Sequence, residues 1–349
     1  MKKATIKERD YINFLRGIAI FLMLWGHSIQ FASMGQFDYF ENVVFKVIYS
    51  FHMPLFMMIS GYLFYYSASK RNFQELFEYK GKSLMYSILM GSVLNLLLST
   101  GVYRGWYSYP GAISIGEIWF LWSVLSSSLC LAVAIKASRH PLMQSVLAIA
   151  VIWLLLIFPN WDLNLFMYPF FVAGYFFHRN KTVLEKMTNI AGIVGLLTFV
   201  AMIVFYQKKH FIYISGMLLR NGVGGGIVES IKVDLFRYTI GLFGSVAVIW
   251  ISLQLYKLLP DINIAKRLMI SLGTNSLAVY VLSLSIQSFW LPIIVKKALQ
   301  FIPSLNWNDI IWFYALIIMP LISVAYSYLL LWIINVIRKI GIFQLFFGR

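Results

Sequence analysis

Arg16 and His27 lie eleven positions apart in the first long apolar stretch of the chain, near residues 11–33. At about 100° per residue, eleven steps return to within roughly 20° of the starting direction, so both side chains share one helix face, about 16 Å apart along the axis. Ionisable groups inside a membrane span are costly unless they face a bundle interior or a wet cavity. The pair therefore predicts a functional site. The alternative is a snorkelling arginine and a hydrogen-bonded structural histidine.

A second histidine, His52, lies in the next apolar stretch, near residues 43–66. If consecutive spans are antiparallel, His52 and His27 lie at similar depths, and the two imidazoles can line one cavity. Pro54 frees a backbone carbonyl one turn earlier, which membrane proteins tolerate where a helix lines protein or water. An imidazole titrates near neutral pH and suits general-base or nucleophilic catalysis. His27 and His52 are therefore the predicted catalytic residues.

Basic residues follow the second stretch at Lys70, Arg71, Lys80 and Lys82. Convergent cations of this kind suit a polyanionic ligand such as a phosphate, although membrane topology alone would place some of them there. The five histidines and the acids show no usual metal-ligand spacing, and no serine-hydrolase elbow occurs, so no metal site is predicted.

Three other features of the sequence suggest a function or a packing contact. Aromatic rings at 103–110, Trp161 and Trp307 could stack on a sugar face, with an aromatic belt at the bilayer interface as the alternative. The loop near 207–233 contains a glycine cluster and could be a lid, a re-entrant segment or a plain flexible loop. Further along the second stretch, Ser60 and Gly61 predict close helix approach.

The composition predicts an all-α polytopic membrane protein. Hydrophobic residues make up 60% of the 349 positions and charged residues 12%, and the mean hydropathy is +0.77. The net charge of +16 lies in short loops between apolar runs, where membrane orientation explains it better than nucleic-acid binding does. The single cysteine, Cys130, excludes a disulfide within the chain.

Ten apolar runs are long enough to cross the hydrocarbon layer. Placing the amino terminus in the cytoplasm puts twenty basic residues on inner segments and seven on outer ones, so both termini are predicted to be cytoplasmic. The first run is predicted to be a signal anchor, and the whole chain, 1–349, a single transmembrane domain. The runs lie near 11–33, 43–66, 83–101, 114–135, 142–158, 164–178, 188–206, 234–256, 271–291 and 310–335.

These motifs together resemble the acyltransferase family 3 of integral membrane proteins, particularly the fucose 4-O-acetylase-like branch. The resemblance begins with the Arg-x10-His pattern in the first span and continues in order across nearly the whole chain. It includes the segments 51–62, 118–121, 168–175 and 272–280, together with Arg237. Three departures are Asn13, where many relatives have an aspartate, the segment 280–283, where many have a histidine shortly after the tyrosine, and lysines at 80 and 82 in place of paired arginines.

The resemblance implies a membrane O-acyltransferase of a bacterial cell membrane. It would move an acyl group, commonly acetyl from cytoplasmic acetyl-CoA, to a hydroxyl of a cell-envelope or exported carbohydrate. The acyl-CoA is a cosubstrate, no tightly bound cofactor or nucleic acid is expected, and a homo-oligomer is possible. Direct transfer and an acyl-histidine relay stay open. The implied CoA-binding residues are Arg16, Lys80 and Lys82, and the implied substrate-binding residues are Asn13, Ser60, Trp119 and Arg237.

An exporter of polysaccharide or lipid-linked sugar is the alternative function, using the same cavity for passage. No internal repeat or pair of broken helices in corresponding halves is visible, and many secondary transporters have such features. The enzyme is therefore the leading hypothesis.

Overall fold

The computed structural model describes residues 6–33, 37–102, 118–157, 161–217, 226–300 and 311–340. These residues contain helices and no strand, which confirms the all-α prediction. The α-helices are α1 Ile6–Ser33, α2 Val43–Ala68, α3 Phe73–Val102, α4 Trp119–Ala137, α5 Pro141–Ala150, α6 Trp161–Arg179, α7 Lys181–Ile203, α8 Gly226–Leu258, α9 Ile264–Thr274, α10 Ser276–Gln300 and α11 Met319–Lys339.

Shorter helical pieces connect these elements. Three are 3₁₀-helices, at Tyr39–Glu41, Val151–Ile157 and Lys208–His210. Ile212–Ser215 forms a single α-helical turn, and Tyr314–Ile318 is a π-helical stretch that leads into α11.

Five helical segments of the described chain are long and apolar enough to cross a membrane. The other predicted spans also fall on helices, and the predicted ninth span is divided between α9 and α10 at Asn275. The count of ten spans and the cytoplasmic placement of both termini stay predictions. The five segments are Glu8–Ser33, Val43–Ala68, Trp119–Ala137, Gly226–Leu258 and Ile311–Lys339.

Helices α1 and α2 lie at the centre of the bundle. Helix α1 packs against α2, α8, α9, α10 and α11, and α2 packs against α1, α4, α6 and α8. Their neighbours approach closely where glycines occur: a Cβ on Gly17 would overlap the Met269 carbonyl of α9, and a Cβ on Gly61 would overlap the Phe171 carbonyl of α6. Small residues permit such backbone contact between membrane helices. This packing fixes the faces of α1 and α2 that carry the histidines.

Candidate functional site

A cavity of about 230 Å³ lies at the end of the bundle where α1 ends and α2 begins. Side chains of α1, α2, α4 and α10 line it together with the segments near residues 40 and 213. Most of the lining is aromatic, and the two histidines are its ionisable side chains other than tyrosines. The lining residues are Met23, His27, Gln30, Phe31, Tyr39, Phe40, Phe45, Tyr49, His52, Met53, Trp119, Tyr213 and Tyr280.

His27 enters this cavity from the last two turns of α1, and two neighbouring groups fix its ring. Its Nδ1 lies 3.3 Å from Gln30 Oε1 and 3.0 Å from the Tyr49 hydroxyl, which itself donates to Gln30 Oε1 at 3.0 Å. The imidazole also stacks on Phe31, with ring centres 5.5 Å apart. An amide oxygen only accepts hydrogen bonds, so with the Gln30 amide as assigned, Nδ1 carries the proton. Nε2 is then the basic nitrogen of His27.

His52 follows the same rule on α2. It is 2% exposed, and its Nδ1 donates to the Ile48 carbonyl at 2.9 Å, one turn earlier in the helix. Its ring lies 4.7 Å from the Tyr49 ring, between the centroids. Tyr49 therefore contacts both histidines, and the structure brings the two predicted catalytic residues and Trp119 to one cavity.

The other predicted site residues lie outside the described lining of the cavity. Arg16 donates from Nη2 to the Ser276 hydroxyl at the start of α10. Asn13 lies in the close contact between α1 and α9, where a Cβ on Gly273 would overlap its carbonyl oxygen. Ser60 is half-buried next to the Gly61 contact with α6, which confirms the predicted close approach of helices there. The roles of Arg16, Asn13 and Ser60 stay predictions.

The predicted CoA-binding lysines lie near the start of α3. This helix begins at the end of the bundle opposite the cavity. Lys80 is half-buried, with Nζ 5.6 Å from the centre of the Phe64 ring. The Lys82 side chain is 75% exposed, and its Nζ lies 3.8 Å from Glu78 Oε2. An exposed pair at this distance holds a lysine weakly. The binding roles of Lys80 and Lys82 stay predictions.

Arg237 is a fully buried cation on α8, 1% exposed, with Asp234 beside it at 2.8 Å. Its Nε donates to the His210 carbonyl at 3.1 Å, Nη1 to the Gly216 carbonyl at 2.8 Å and Nη2 to the Lys209 carbonyl at 2.6 Å. A further bond joins Nη2 to the Ser215 hydroxyl. The five N–H donors of the guanidinium thus all have acceptors within the protein. The predicted substrate contact of Arg237 stays a prediction.

Two connecting segments, 37–42 and 206–217, cover the cavity and are called the rim below. An ion pair of 2.6 Å joins Asp38 to Lys208 across them, and this hydrogen bond lowers the pKa of the Asp38 carboxyl. Burial lowers the pKa of His210 to about 4. Its Nδ1 accepts from the backbone N–H of Gln207 at 2.8 Å, and its ring stacks on Phe236. An ion pair, a hydrogen bond and a ring contact therefore hold the rim.

Several predicted features lie outside the described residues. These are the aromatic segment 103–110, Trp307 and the glycines at 222, 224 and 225. Trp161 begins α6, but its side chain is also outside the description. The hypotheses of aromatic stacking at these positions and of a lid or re-entrant segment at 207–233 stay untested.

Sequence reasoning missed Gln30, Tyr49 and Tyr213. Gln30 follows His27 by three positions, and Tyr49 precedes His52 by three, which is the spacing of neighbours on one helix face. That spacing was the available signal for the first two. Tyr213 had none, because its place in the cavity depends on contacts made by the rim.

A model for an acyltransferase domain matches residues 9–332 of the chain. The chain is also similar to the nodulation protein NolL of Sinorhizobium fredii, with 28% identity over 302 residues that cover 79% of this chain and 78% of the relative. It is similar to NolL of Mesorhizobium japonicum, with 26% identity over 292 residues that cover 79% and 76%. No solved structure gives a significant match. The domain match spans nearly the whole sequence and confirms the resemblance found in its motifs: this chain belongs to the acyltransferase family 3 and is an integral membrane protein.

Proposed function

We propose that this protein is a membrane O-acyltransferase, specifically an O-acetyltransferase, that modifies a hydroxyl of a cell-envelope or exported carbohydrate. Family membership supports the transfer of an acyl group. The observation that carries the proposal is the setting of His27, which lines an aromatic cavity with Nδ1 engaged by Gln30 and Tyr49. A ring fixed in this way presents a basic Nε2 to a ligand in the cavity.

The transfer step assigns two proton transfers to His27. Nε2 takes the proton of the acceptor hydroxyl as its oxygen forms a bond to the thioester carbonyl carbon. The C–S bond then breaks, and the departing CoA sulfur receives the proton from Nε2. The products are an O-acyl carbohydrate and free CoA. Because Nδ1–H stays bonded to Gln30 and Tyr49, these side chains stabilise the charged imidazolium between the two proton transfers.

His52 is proposed to orient the acceptor or His27 from the same cavity, through its basic Nε2 and the shared neighbour Tyr49. Arg16, Lys80 and Lys82 are proposed to bind the phosphates of acetyl-CoA from the cytoplasmic side. Arg16 and His27 lie about 16 Å apart along α1, so a donor held near Arg16 must extend along the helix to reach the cavity. This arrangement separates a polar donor end from an aromatic acceptor end.

The proposed location is the bacterial plasma membrane, with both termini in the cytoplasm. The two relatives come from bacteria, and the described helices include five that can span a bilayer. We propose the single-domain organisation over 1–349 on the extent of the domain match. Asn13 and Ser60 are proposed to bind substrate near the helix contacts in which they lie.

Reconstitution in proteoliposomes tests the function. Acetyl-CoA and a panel of methyl glycosides of common hexoses and deoxyhexoses are supplied, and CoA release and acetylated glycoside are measured together. The proposal expects equal amounts of free CoA and O-acetyl glycoside. Transport of unmodified glycoside across the liposome bilayer without CoA release would contradict the proposed acetyltransferase and favour an exporter.

A second experiment distinguishes direct transfer from a histidine relay. Protein is mixed with labelled acetyl-CoA without acceptor and quenched within one turnover. If the acceptor hydroxyl attacks the thioester directly, no label is expected on the protein. Label that is lost in His27→Ala and chased into glycoside would replace direct transfer by an acyl-histidine intermediate.

A further inference from the structure

Tyr213 is an aromatic side chain of the rim that no proposed step has used. It lies in the single turn Ile212–Ser215, is 40% exposed and lines the cavity. Its ring centre lies 5.5 Å from that of Trp119 at an angle of 67° and 6.1 Å from that of Tyr49 at 75°. Tyr49 in turn bonds His27. The rings of Tyr213 and Trp119 therefore contact each other in the cavity. Tyr49 lies between Tyr213 and the proposed base, His27.

The turn that carries Tyr213 is fixed by the buried guanidinium of Arg237. The acceptors of Arg237 on the rim are the carbonyls of Lys209, His210 and Gly216 and the hydroxyl of Ser215. These positions lie on both sides of Tyr213 in the sequence. The Ser215 hydroxyl also donates to the Lys209 carbonyl at 3.1 Å, which closes the turn on itself.

Packing beneath the turn holds it from a second direction. Phe211 is 1% exposed, and its ring centre lies 5.0 Å from that of Phe40 and 5.7 Å from that of Phe45. Ile212 is also buried. Tyr213 and the following Ile214, at 40% and 43%, are the exposed residues of this turn, and anchored residues lie on both sides of them. A side chain held in this way loses little conformational freedom when a ligand binds.

We propose that Tyr213 and Trp119 form the platform that binds the acceptor sugar beside His27, and that Arg237 is a positioning residue for this platform. Flat amphipathic rings contact the apolar face of a sugar ring and leave their polar edges to hydrogen-bond. The inference rests on the proposed function, since it names the chemistry of the acceptor subsite. It gives Arg237 an effect on acceptor binding without contact between its guanidinium and the sugar.

Steady-state kinetics with the methyl glycoside that the wild-type protein acetylates fastest test the platform. Tyr213→Ala is expected to raise the KM for this glycoside about tenfold, because an aromatic contact of this kind contributes on the order of one factor of ten. The KM for acetyl-CoA is expected to stay unchanged, and Tyr213→Trp to restore the glycoside KM. Tyr328→Ala is the matched control, since Tyr328 is an exposed tyrosine of α11.

The positioning role of Arg237 is tested with Ser215→Ala and Arg237→Lys. Ser215→Ala removes one acceptor of Arg237 without removing a buried charge, so the protein is expected to fold. Both variants are expected to raise the glycoside KM and to leave the acetyl-CoA KM unchanged. A merely structural role would instead lower the amount of active protein, with both KM values unchanged.

The outcomes separate this inference from the proposed function. A wild-type protein that acetylates none of the glycosides contradicts the proposed function and the platform with it. An active wild-type protein whose glycoside KM is the same in Tyr213→Ala overturns the platform alone. If Tyr213→Ala raises the glycoside KM but Ser215→Ala and Arg237→Lys leave it unchanged, the platform is supported and the positioning role of Arg237 is wrong.

Discussion

Arg237 and Lys82, at opposite ends of the bundle, are held very differently. At the rim, Arg237 is 1% exposed and donates to Asp234 and to four acceptors of the 206–217 segment. At the opposite end, the Lys82 side chain is 75% exposed and lies 3.8 Å from Glu78. Unpairing a buried charge costs several kcal/mol, whereas an exposed pair contributes little. Arg237 therefore holds structure at the rim, whereas Lys82 is accessible to the ligand that we propose for it.

The opposite end nevertheless has its own framework. The Lys136 ammonium donates to the carbonyls of Ala68 and Arg71, at 2.8 and 2.6 Å, and the Arg71 guanidinium lies 3.8 Å from the centre of the Tyr79 ring. These contacts fix the connection from α2 to α3. The contrast is thus between two side chains, Arg237 and Lys82, since Lys208 at the rim is 50% exposed and Lys266 at the opposite end is 5% exposed.

Removal of the buried cation gives the largest expected effect on stability. Arg237→Met leaves Asp234 buried without this ion pair and removes four hydrogen bonds to the rim. We expect a loss of about 3–5 kcal/mol of unfolding free energy, measured by thermal unfolding in detergent. Lys82→Met is the control at the opposite end, and we expect its Tm to match the wild-type value. Equal Tm values for the two variants would erase the contrast between the ends.

The Nδ1 contact of His27 gives the next effect, on catalysis. Gln30→Leu removes the acceptor that holds the Nδ1 proton. We expect kcat to fall about tenfold, the cost of one hydrogen bond to a charged imidazolium, with little change in either KM. Gln74→Leu, at an exposed position of α3, is the matched control. An unchanged kcat in Gln30→Leu would show that the bond from Nδ1 to Gln30 does not stabilise the imidazolium of His27 during catalysis.

His210 predicts a dependence of rim stability on pH. Burial, with Lys209 and Arg237 nearby, lowers its folded-state pKa to about 4, below the ordinary value of about 6.5, although Glu229 opposes this. Between these values the unfolded chain binds more protons, so stability falls as the pH falls from about 6.5 to 4.

The measurement is the Tm of the wild-type protein and of His210→Asn between pH 7 and 4.5. Asparagine can accept from the Gln207 N–H without titrating in this range. The difference between the two Tm values is expected to shrink as the pH falls. A difference that stays constant would show that His210 does not carry the pH dependence.

Lys82 gives the smallest expected effect. Lys82→Ala is expected to raise the KM for acetyl-CoA about two- to fivefold at low salt and less at high salt, because an exposed cation contributes a screened interaction. Initial rates at two salt concentrations measure it, with Arg139→Ala, at an exposed position, as the control. A change in the glycoside KM with an unchanged acetyl-CoA KM would contradict the proposed role of Lys82 in CoA binding.

The sequence predicted the parts of the site that follow from helical spacing. Arg16 and His27 share a helix, and His27 and His52 meet because α1 and α2 are adjacent and central. It also predicted the close contact at Gly61, because small residues have a direct consequence for helix packing.

The rest depends on contacts between distant segments. Four of the five hydrogen bonds of Arg237 join α8 to a loop more than twenty positions earlier, and helix spacing gives no sign of such partners. Tyr213 reaches the cavity only because those bonds and the Phe211 packing hold its turn. The division of the predicted ninth span at Asn275, by contrast, had a local signal, since residues 273–276 are Gly-Thr-Asn-Ser, a cluster typical of turns.

The most direct test of the account is the kinetics of His27→Ala against His140→Ala, a control at an exposed histidine. Both variants are compared with the wild-type protein in proteoliposomes at saturating acetyl-CoA and glycoside. If Nε2 of His27 moves the proton, kcat falls about 100-fold or more in His27→Ala, with both KM values near wild type and His140→Ala unaffected. A His27→Ala protein that keeps the wild-type kcat would contradict the proposed chemistry of this cavity.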